Sequence, residues 1–463
     1  LQVHLVLLIG KIEIALFFSG ISIVRLRIAC QMANSHNKGI ENAFLIVRRE
    51  GSVMHNFKAG FGKARIQFNP DEAPIREFEA KLDDLYCRVL LISGPDNWAL
   101  VSFDLTSLRA TAIKRYRELV AELLAITPSK VWVTVTHTFA APHLPSTTET
   151  PAKQASYQLI DRKLVESLKI SCQLAQEDLQ TVEIGQVNVN CPLNVNRNIL
   201  IEQGWWLGRN FEGYSNHQLR ILAFKRADQT VNLVVNYDIQ QSVMDHITDD
   251  RGRRVISSDL MGNGIQGYEQ NDQVAIFIPG CAGDQRPLFT GEAAPSFAVV
   301  RTLLINQAVI VTESLQRAVQ KIQDWQPLQR LWSSQLPVSV PTQVQQHGTF
   351  EIKPTKTYKF EPTGQMTTLH LWAVRINQYG TVGTEPELNS MFGESCRRAI
   401  AGDATTMIAT LVNGAAKYLP EKLDFDRITY QSMNTQLGQT ADQRLLDACV
   451  RFGRIMREED ARC

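Results

Sequence analysis

Strand-like apolar runs alternate with helix-like stretches along most of this chain, and that alternation limits the folds it can adopt. From Cys87 onward, runs rich in β-branched residues, such as CRVLLIS, WALVSFD and KVWVTVT, are bounded by turn signals. Longer segments at 108–126, 152–176 and 297–323 have helical spacing of their apolar residues. Strands that alternate with helices predict an α/β fold of mixed sheets with flanking helices.

The pattern also divides the 463 residues into regions. Coherent globular patterning begins near Met54, so we predict that residues 1–53 are a disordered or spurious N-terminal extension. Residues 54–463 are expected to form the α/β domain in two sections, 54–324 and 366–463. The stretch between them, 325–365, is rich in Gln, Pro and Thr, which predicts a linker or an insertion.

Charge and cysteine content narrow the partners and the compartment. The 48 basic and 47 acidic side chains nearly cancel, so no excess charge favours nucleic acid or an acidic membrane surface. The apolar run at 14–24 is shorter than a bilayer requires, so no stable membrane anchor is expected; secretion directed by this run is the alternative. Eight cysteines form no CxxC pair, which favours a reduced, cytoplasmic protein. The oligomeric state has no indicator in the sequence.

Polar residues follow several predicted strands, and α/β folds build their sites at such strand ends. An imidazole there can bind zinc through one nitrogen and a supporting group through the other. Each position also has an ordinary explanation, such as a hydrogen-bonded loop, a turn, or an acidic residue favoured by a helix dipole. The candidates are His137, the pair Asp245 and His246, the pair Asp284 and Arg286, and Glu385.

Taken in order, these strand ends resemble a known family. From Met54 to about Tyr430, the chain is similar to the N-terminal catalytic domain of neutral/alkaline non-lysosomal ceramidases. AGFGKARIQFNP resembles the opening of that domain, and THTFAAPH resembles its THTHSGPG loop. VNYDIQQSV is similar to the strand that normally ends in His-Pro, PGCAGDQRP to the NVGDVSPN loop, and TEPE to the GEP or GEF motif. The resemblance implies a ceramidase-like N-terminal domain, here without the family's C-terminal immunoglobulin-like domain.

The resemblance further implies a single zinc ion, which the family holds with two histidines, a glutamate and a tyrosine. His137, Glu385 and Tyr418, the last in NGAAKYLPEK, fall on three of these ligand positions. Gln240 falls on the fourth, and an amide oxygen is a poor zinc ligand beside imidazole. His246, six residues further on, could replace it only if its loop bends back.

Two other positions depart from the family pattern. Phe139 stands where the family has a second loop histidine, and Arg286 stands at the position of the nucleophilic serine. We expect Asp284 and Arg286 to act in catalysis, with Arg286 and Gln240 in contact with substrate, because a guanidinium can bind an anionic group such as a carboxylate.

Two functional hypotheses follow from these positions. The leading one is a zinc-dependent hydrolase of an amide or related bond in a small-molecule or lipid-like substrate. The alternative is a non-catalytic, ligand-binding relative that has lost the metal and the nucleophile. A serine hydrolase has no support, because the chain contains no GxSxG sequence.

Overall fold

The computed structural model describes residues 3–8, 11–16, 24–29, 57–68, 78–144, 150–294, 296–345, 352–401, 406–414 and 416–462. The chain separates into two compact units, Leu1–His55 and Asn56–Cys463. In the first unit, β1 (Val3–Leu8), β2 (Lys11–Leu16) and β3 (Val24–Ala29) form an antiparallel sheet. The rest of that unit lies outside the described residues, and the expectation of a disordered or spurious extension stays a prediction.

The second unit carries the remaining elements. Its strands are β4 (Lys58–Ile66), β5 (Ala80–Lys81), β6 (Leu85–Ser93), β7 (Trp98–Phe103), β8 (Val131–Val135), β9 (Glu183–Asn190), β10 (Asn194–Ile201), β11 (Gly204–Asn210), β12 (Gln218–Lys225), β13 (Val231–Tyr237), β14 (Val255–Ile256), β15 (Ala275–Pro279), β16 (Gln285–Pro287), β17 (Gln326–Pro327), β18 (Leu331–Gln343), β19 (Pro362–Ile376), β20 (Tyr379–Thr384), β21 (Glu387–Leu388), β22 (Met407–Ala409) and β23 (Tyr418–Leu419). Its helices are α1 (Ala110–Leu124), α2 (Pro151–Glu177), α3 (Asp259–Tyr268), α4 (Phe297–Lys321), α5 (Ser390–Ala401), α6 (Lys422–Arg427), α7 (Tyr430–Met433) and α8 (Ala441–Arg462).

Two sheets and two pairs of helices form successive layers. One sheet has the order β4-β6-β7-β8 and packs α1 and α2 on its outer face. The other has the order β15-β13-β12-β9-β17 and packs α3 and α4. The inner faces meet in a shared core, where Leu90 and Ile92 lie in the same apolar cluster as Leu222 and Val234. Strands buried on both faces explain why CRVLLIS is almost continuously apolar.

A third sheet, in the order β18-β19-β20-β22, packs against α5 and α8. Its first strand lies within 325–365, where the sequence predicts a linker or an insertion. Residues 331–343 are ordered sheet rather than a linker, because they form β18, which pairs along its length with β19. An insertion between the two sections stays a prediction. Val338 and Val340 face the core, while Pro337 and Pro341 are tolerated because β18 is an edge strand. A mixed Gln, Pro and Thr composition therefore concealed an alternating strand pattern.

Helix α4 has a composition that could suit a membrane. Among the helices of the described residues, it is the one long and apolar enough to cross a bilayer. Val300, Leu304, Val311 and Leu315 nevertheless lie in the core beside the second sheet. One apolar stripe of α4 is thus used for packing within the domain.

Candidate functional site

The site begins at His137, two residues after the end of β8. Its φ angle is 61°, a left-handed backbone conformation that is uncommon outside glycine. The ring is buried, and Nδ1 lies 2.6 Å from the carbonyl oxygen of Thr106. A carbonyl oxygen only accepts hydrogen bonds, so Nδ1 carries a proton and donates it. In the neutral ring, Nε2 is therefore left with a lone pair.

That second nitrogen faces the carboxylate of Glu387. His137 Nε2 lies 3.4 Å from Glu387 Oε2, and both side chains are buried. Neither of these two atoms has a hydrogen-bond partner in the part of the chain that the structure describes. A lone pair and a carboxylate oxygen repel each other unless a cation or a proton lies between them. The geometry therefore suits a proton or a metal ion at this point.

The pKa of His137 responds to these surroundings. Burial by itself lowers the pKa of the imidazole, because it disfavours the charged ring. The Glu387 carboxylate and the Thr106 carbonyl raise it, while Arg197 lowers it. The net pKa of His137 lies above its ordinary value. The Glu387 carboxylate therefore favours a proton on His137 when no metal ion is bound.

Strand pairing brings Tyr418 beside Glu387. The short parallel strands β21 and β23 align Glu387 directly with Tyr418. Tyr418 is buried, and burial raises the pKa of its hydroxyl well above the usual range. Its ring packs near Tyr430, and Tyr430 in turn packs against Trp206. An aromatic row thus extends from the site to the half-buried Trp206 on β11.

Arg197 joins these groups, although sequence reasoning missed it. Its Nη1 donates to Gln240 Oε1 at 3.0 Å, and Nη2 donates to Tyr418 Oη at 3.1 Å. Nε and Nη2 both donate to the carbonyl oxygen of Gly283. Burial lowers the pKa of Arg197, but Tyr418 and Glu387 raise it further, so the guanidinium stays charged. The sequence signal that could have indicated Arg197 was a charged residue inside the strand sequence NVNRN.

The structure brings together three of the sequence-predicted residues. His137 contacts Glu387, which pairs with Tyr418, and Arg197 connects Tyr418 to Gln240. Gln240 is buried and faces the guanidinium. Phe139 packs its ring edge-to-face on the imidazole of His137, at a centroid distance of 4.9 Å.

Glu385 lies elsewhere, and this differs from the sequence-based expectation. Its Oε1 is 3.1 Å from His370 Nδ1, a histidine on β19. The reason is a bend at residues 385–386, between β20 and β21, which separates the directions of the two carboxylates. Glu387, two residues later, takes the position beside His137. The sequence TEPE contains both Glu385 and Glu387, and the sequence pattern alone did not show which of them lies beside His137.

His246 does not approach the site either. Its side chain is 79% exposed, and its Nε2 lies 3.6 Å from Asp245 Oδ1 in the same loop. The loop therefore does not bend back toward Gln240, and His246 does not take the place of the missing imidazole in this conformation.

Comparisons with known proteins agree with this architecture. No family model and no curated protein matches the chain. Among solved structures, it is similar to neutral ceramidase from Pseudomonas aeruginosa, with a TM-score of 0.68 and 16% identity over 88% of this chain and 75% of that one. It is also similar to a ceramidase complexed with C2, with a TM-score of 0.67 and 15% identity over 88% of this chain and 76% of that one.

The fold is ceramidase-like. This confirms the resemblance that the strand-end sequences predict. It also confirms the α/β class with mixed sheets and flanking helices. At 15–16% identity the likeness establishes the architecture, and the chemistry has to be argued from the residues of the site.

In this ceramidase-like fold, Asp284 and Arg286 are engaged in holding neighbouring segments. Asp284 accepts hydrogen bonds from the backbone of Ser390 and from the side chain of Asn196, and burial raises the pKa of its carboxyl group. Arg286 donates to Glu292 at 2.6 Å and to the carbonyl oxygen of Gly208. None of these contacts reaches His137. Their predicted roles in catalysis and in substrate binding stay predictions.

The donor set decides whether the site fits the metal of the fold family. No group of three His, Cys, Asp or Glu side chains converges among the residues that the structure describes. Two strong donors do converge, His137 Nε2 and Glu387 Oε2, and the backbone register places Tyr418 next to Glu387. Two ligands of a tetrahedral zinc ion, each at about 2.1 Å, are about 3.4 Å apart. The observed spacing of 3.4 Å therefore fits two adjacent ligands of one ion.

Proposed function

We propose that this protein is a ceramidase-like hydrolase of an amide or related bond, with a weak zinc site formed by His137, Glu387 and Tyr418. One observation carries the proposal. Two buried, unpaired atoms, His137 Nε2 and Glu387 Oε2, face each other at the spacing of two zinc ligands. The reaction adds water across the C–N bond and yields a carboxylic acid and an amine.

Each residue has a distinct part in this proposal. A bound zinc ion would lower the pKa of a water molecule and polarise the substrate carbonyl. The hydrogen bond to Thr106 fixes the His137 tautomer and leaves its Nε2 lone pair facing Glu387, where it would hold the ion. Arg197 has five N–H groups, and four of them are used by Gln240, Tyr418 and Gly283. The remaining one faces no acceptor among the described residues and can bind a substrate oxygen.

The substrate class follows from the surroundings of these groups. Tyr418, Tyr430 and Trp206 form an aromatic row beside the buried guanidinium. Aromatic side chains favour contact with an apolar substituent, while Arg197 favours a polar oxygen. This combination supports an amide that carries an apolar chain or ring. One of the structural neighbours is a ceramidase complexed with C2, which is consistent with a lipid-like amide.

A second function is favoured by one specific contact. Gln240, at the fourth ligand position of the family, accepts a hydrogen bond from Arg197 and offers only an amide oxygen. If no metal binds, a proton can lie between His137 and Glu387, and the carboxylate raises the pKa of His137 accordingly. The protein would then be a non-catalytic relative that binds a ligand through Arg197.

Metal analysis after zinc addition and desalting separates these two functions. We expect up to one zinc per parent chain, and none in His137→Ala. Glu387→Gln should weaken zinc binding about tenfold or more, because an amide replaces the carboxylate. Glu385→Gln is the matched control and should bind like the parent. Gln240→His should bind more tightly, since it adds an imidazole.

The same proteins are tested for release of fatty acid from short-chain N-acyl amides. Activity should follow zinc content across the series. If neither the parent nor Gln240→His retains zinc, the hydrolase proposal is wrong and the metal-free binding protein is the better account. If Glu385→Gln rather than Glu387→Gln loses zinc, the ligand assignment is wrong.

A further inference from the structure

Gln241 is fully buried next to the site, and its side chain joins three segments. Its Nε2 donates to the carbonyl oxygen of Thr136 at 2.6 Å. Its Oε1 accepts from the backbone N–H groups of Met261 and Gly262, in the first turn of α3. Its own carbonyl oxygen accepts from the backbone of Phe139. All of these contacts are to backbone groups, so Gln241 restrains the backbone conformation of the segments that it joins.

The contacts enclose His137 on both sides. Thr136 immediately precedes His137, and its carbonyl is held by the side chain of Gln241. Thr138 immediately follows His137 and pairs with Gln241 in a parallel bridge. The residue between them has a φ angle of 61°, which is strained for a side-chain-bearing residue and persists only when its surroundings hold it.

The neighbouring glutamine has a different task. Gln240 faces Arg197, whereas Gln241 faces Thr136 and α3. Its amide is suited to this position because the oxygen accepts from the helix while the nitrogen donates to the strand end. A carboxylate could make only the first contact, and a thioether could make neither.

We infer that Gln241 is a positioning residue that holds the His137 backbone in its left-handed conformation, and so aims Nε2 at Glu387. The functional consequence rests on the proposed function, since it concerns the zinc ligand. The conformational part does not, because the tautomer of His137 is measurable without metal. The hydrogen bond from Nδ1 to Thr106 depends on the position of the ring, which follows from the backbone conformation of His137.

Three variants test this inference. Gln241→Glu retains the acceptor for α3 but loses the donor to Thr136, and Gln241→Met loses both. The matched control is Gln307→Glu, at another buried glutamine, which donates to the carbonyl oxygen of Phe289 and accepts from its N–H. It removes an equivalent donor on α4, where none of its contacts involves the site.

The readout is the side-chain ¹⁵N shifts of histidine in the metal-free proteins, followed to a pH at which the His137 shifts no longer change, so that its ring is neutral. We expect His137 in the parent and in Gln307→Glu to hold the Nδ1–H tautomer, and in both Gln241 variants to become a tautomer mixture. Zinc affinity should fall about tenfold in Gln241→Glu, at the low end for groups that support a ligand. Melting temperatures report the structural cost separately.

Retention of the tautomer in Gln241→Glu and Gln241→Met would overturn the inference and leave Gln241 as a cap for α3. A tautomer mixture in Gln307→Glu as well would also overturn it, because the effect would then be general. If the parent binds no zinc, the proposed function fails, while the tautomer still decides the role of Gln241.

Discussion

Two buried glutamates of this protein, Glu269 and Glu387, have opposite surroundings. Both oxygens of Glu269 are hydrogen-bonded: Arg88 donates to each of them, Lys63 to one and the backbone of Ala275 to the other. Glu387 Oε2 has no hydrogen-bond donor among the described residues and faces a ring nitrogen at 3.4 Å. The fold itself supplies hydrogen-bond donors to both oxygens of Glu269, whereas Glu387 Oε2 is left without one.

The pKa of Glu269 shows what happens when neighbouring side chains compensate the charge of a buried carboxylate. Burial raises the pKa of this carboxyl group, but Arg88 and Lys63 lower it further, and the net value lies below the ordinary one. Its charge is therefore compensated inside the protein and needs no ligand. Glu387 has the charged Arg197 nearby, but its Oε2 lacks a hydrogen-bond donor among the described residues, and this unpaired oxygen distinguishes a candidate site from a structural ion pair.

The largest expected effect separates these two roles through stability. Glu269→Gln should lower the free energy of unfolding by about 3 kcal/mol, because the buried Arg88 loses its bidentate carboxylate partner and keeps only Asp104. Glu387→Gln should cost clearly less in metal-free protein, about 1 kcal/mol, because it removes only the attraction of the carboxylate to His137 and Arg197 and breaks no hydrogen bond to Oε2. Urea unfolding with unchanged m values measures both. Equal losses in the two variants would mean that Glu387 is also a structural ion-pair partner.

Much of the architecture could be predicted from the sequence because its signals are local. The helix predicted at 152–176 is α2, Pro151–Glu177, and the one at 297–323 is α4, Phe297–Lys321. His137 was recognisable because it follows a buried strand in a family-like loop. Local periodicity thus identifies the elements and the strand ends on which the site is built.

The rest of the site depended on geometry that the sequence does not express. Glu387 and Glu385 are two residues apart, and a single bend decides which one meets His137. Arg197 is distant in sequence from every residue that it contacts, so no spacing rule indicates it. Strand β18 was concealed because an edge strand tolerates prolines that are typical of a linker.

A second test asks whether a half-buried carboxyl among acidic neighbours can simply retain a proton. Glu421 lies beside Asp424 and Asp284, and burial together with these neighbours raises its pKa to about 7. Since the ordinary value is 4.5, the folded state binds an extra proton between about pH 4.5 and 7. The stability that this provides is complete below about pH 4.5 and is lost as the pH rises through about 7.

Glu421→Gln should remove this dependence. Between pH 5 and pH 8, the parent should lose about 2 kcal/mol more stability than the variant does. Urea unfolding at the two pH values measures the difference, and Glu122→Gln, on the exposed face of α1, is the control. If the variant has the same slope as the parent, Glu421 is ionised throughout and the proton-holding explanation fails.

The smallest expected effect concerns Arg286, a cation whose pairing is only partly buried. Its partner Glu292 is 57% exposed, so Glu292→Gln should cost about 0.5 kcal/mol or less in urea unfolding. The substitution also frees one donor of the guanidinium while Gly208 continues to hold another.

If Arg286 binds an anionic substrate group, as its position in the sequence predicts, the affinity for fatty-acid carboxylates should rise in Glu292→Gln. We expect no change in calorimetric titrations, because Arg286 makes none of its contacts with Arg197 or His137. A rise in this affinity of about tenfold, or about 1.4 kcal/mol, would make Arg286 a ligand-binding residue rather than a structural ion-pair partner.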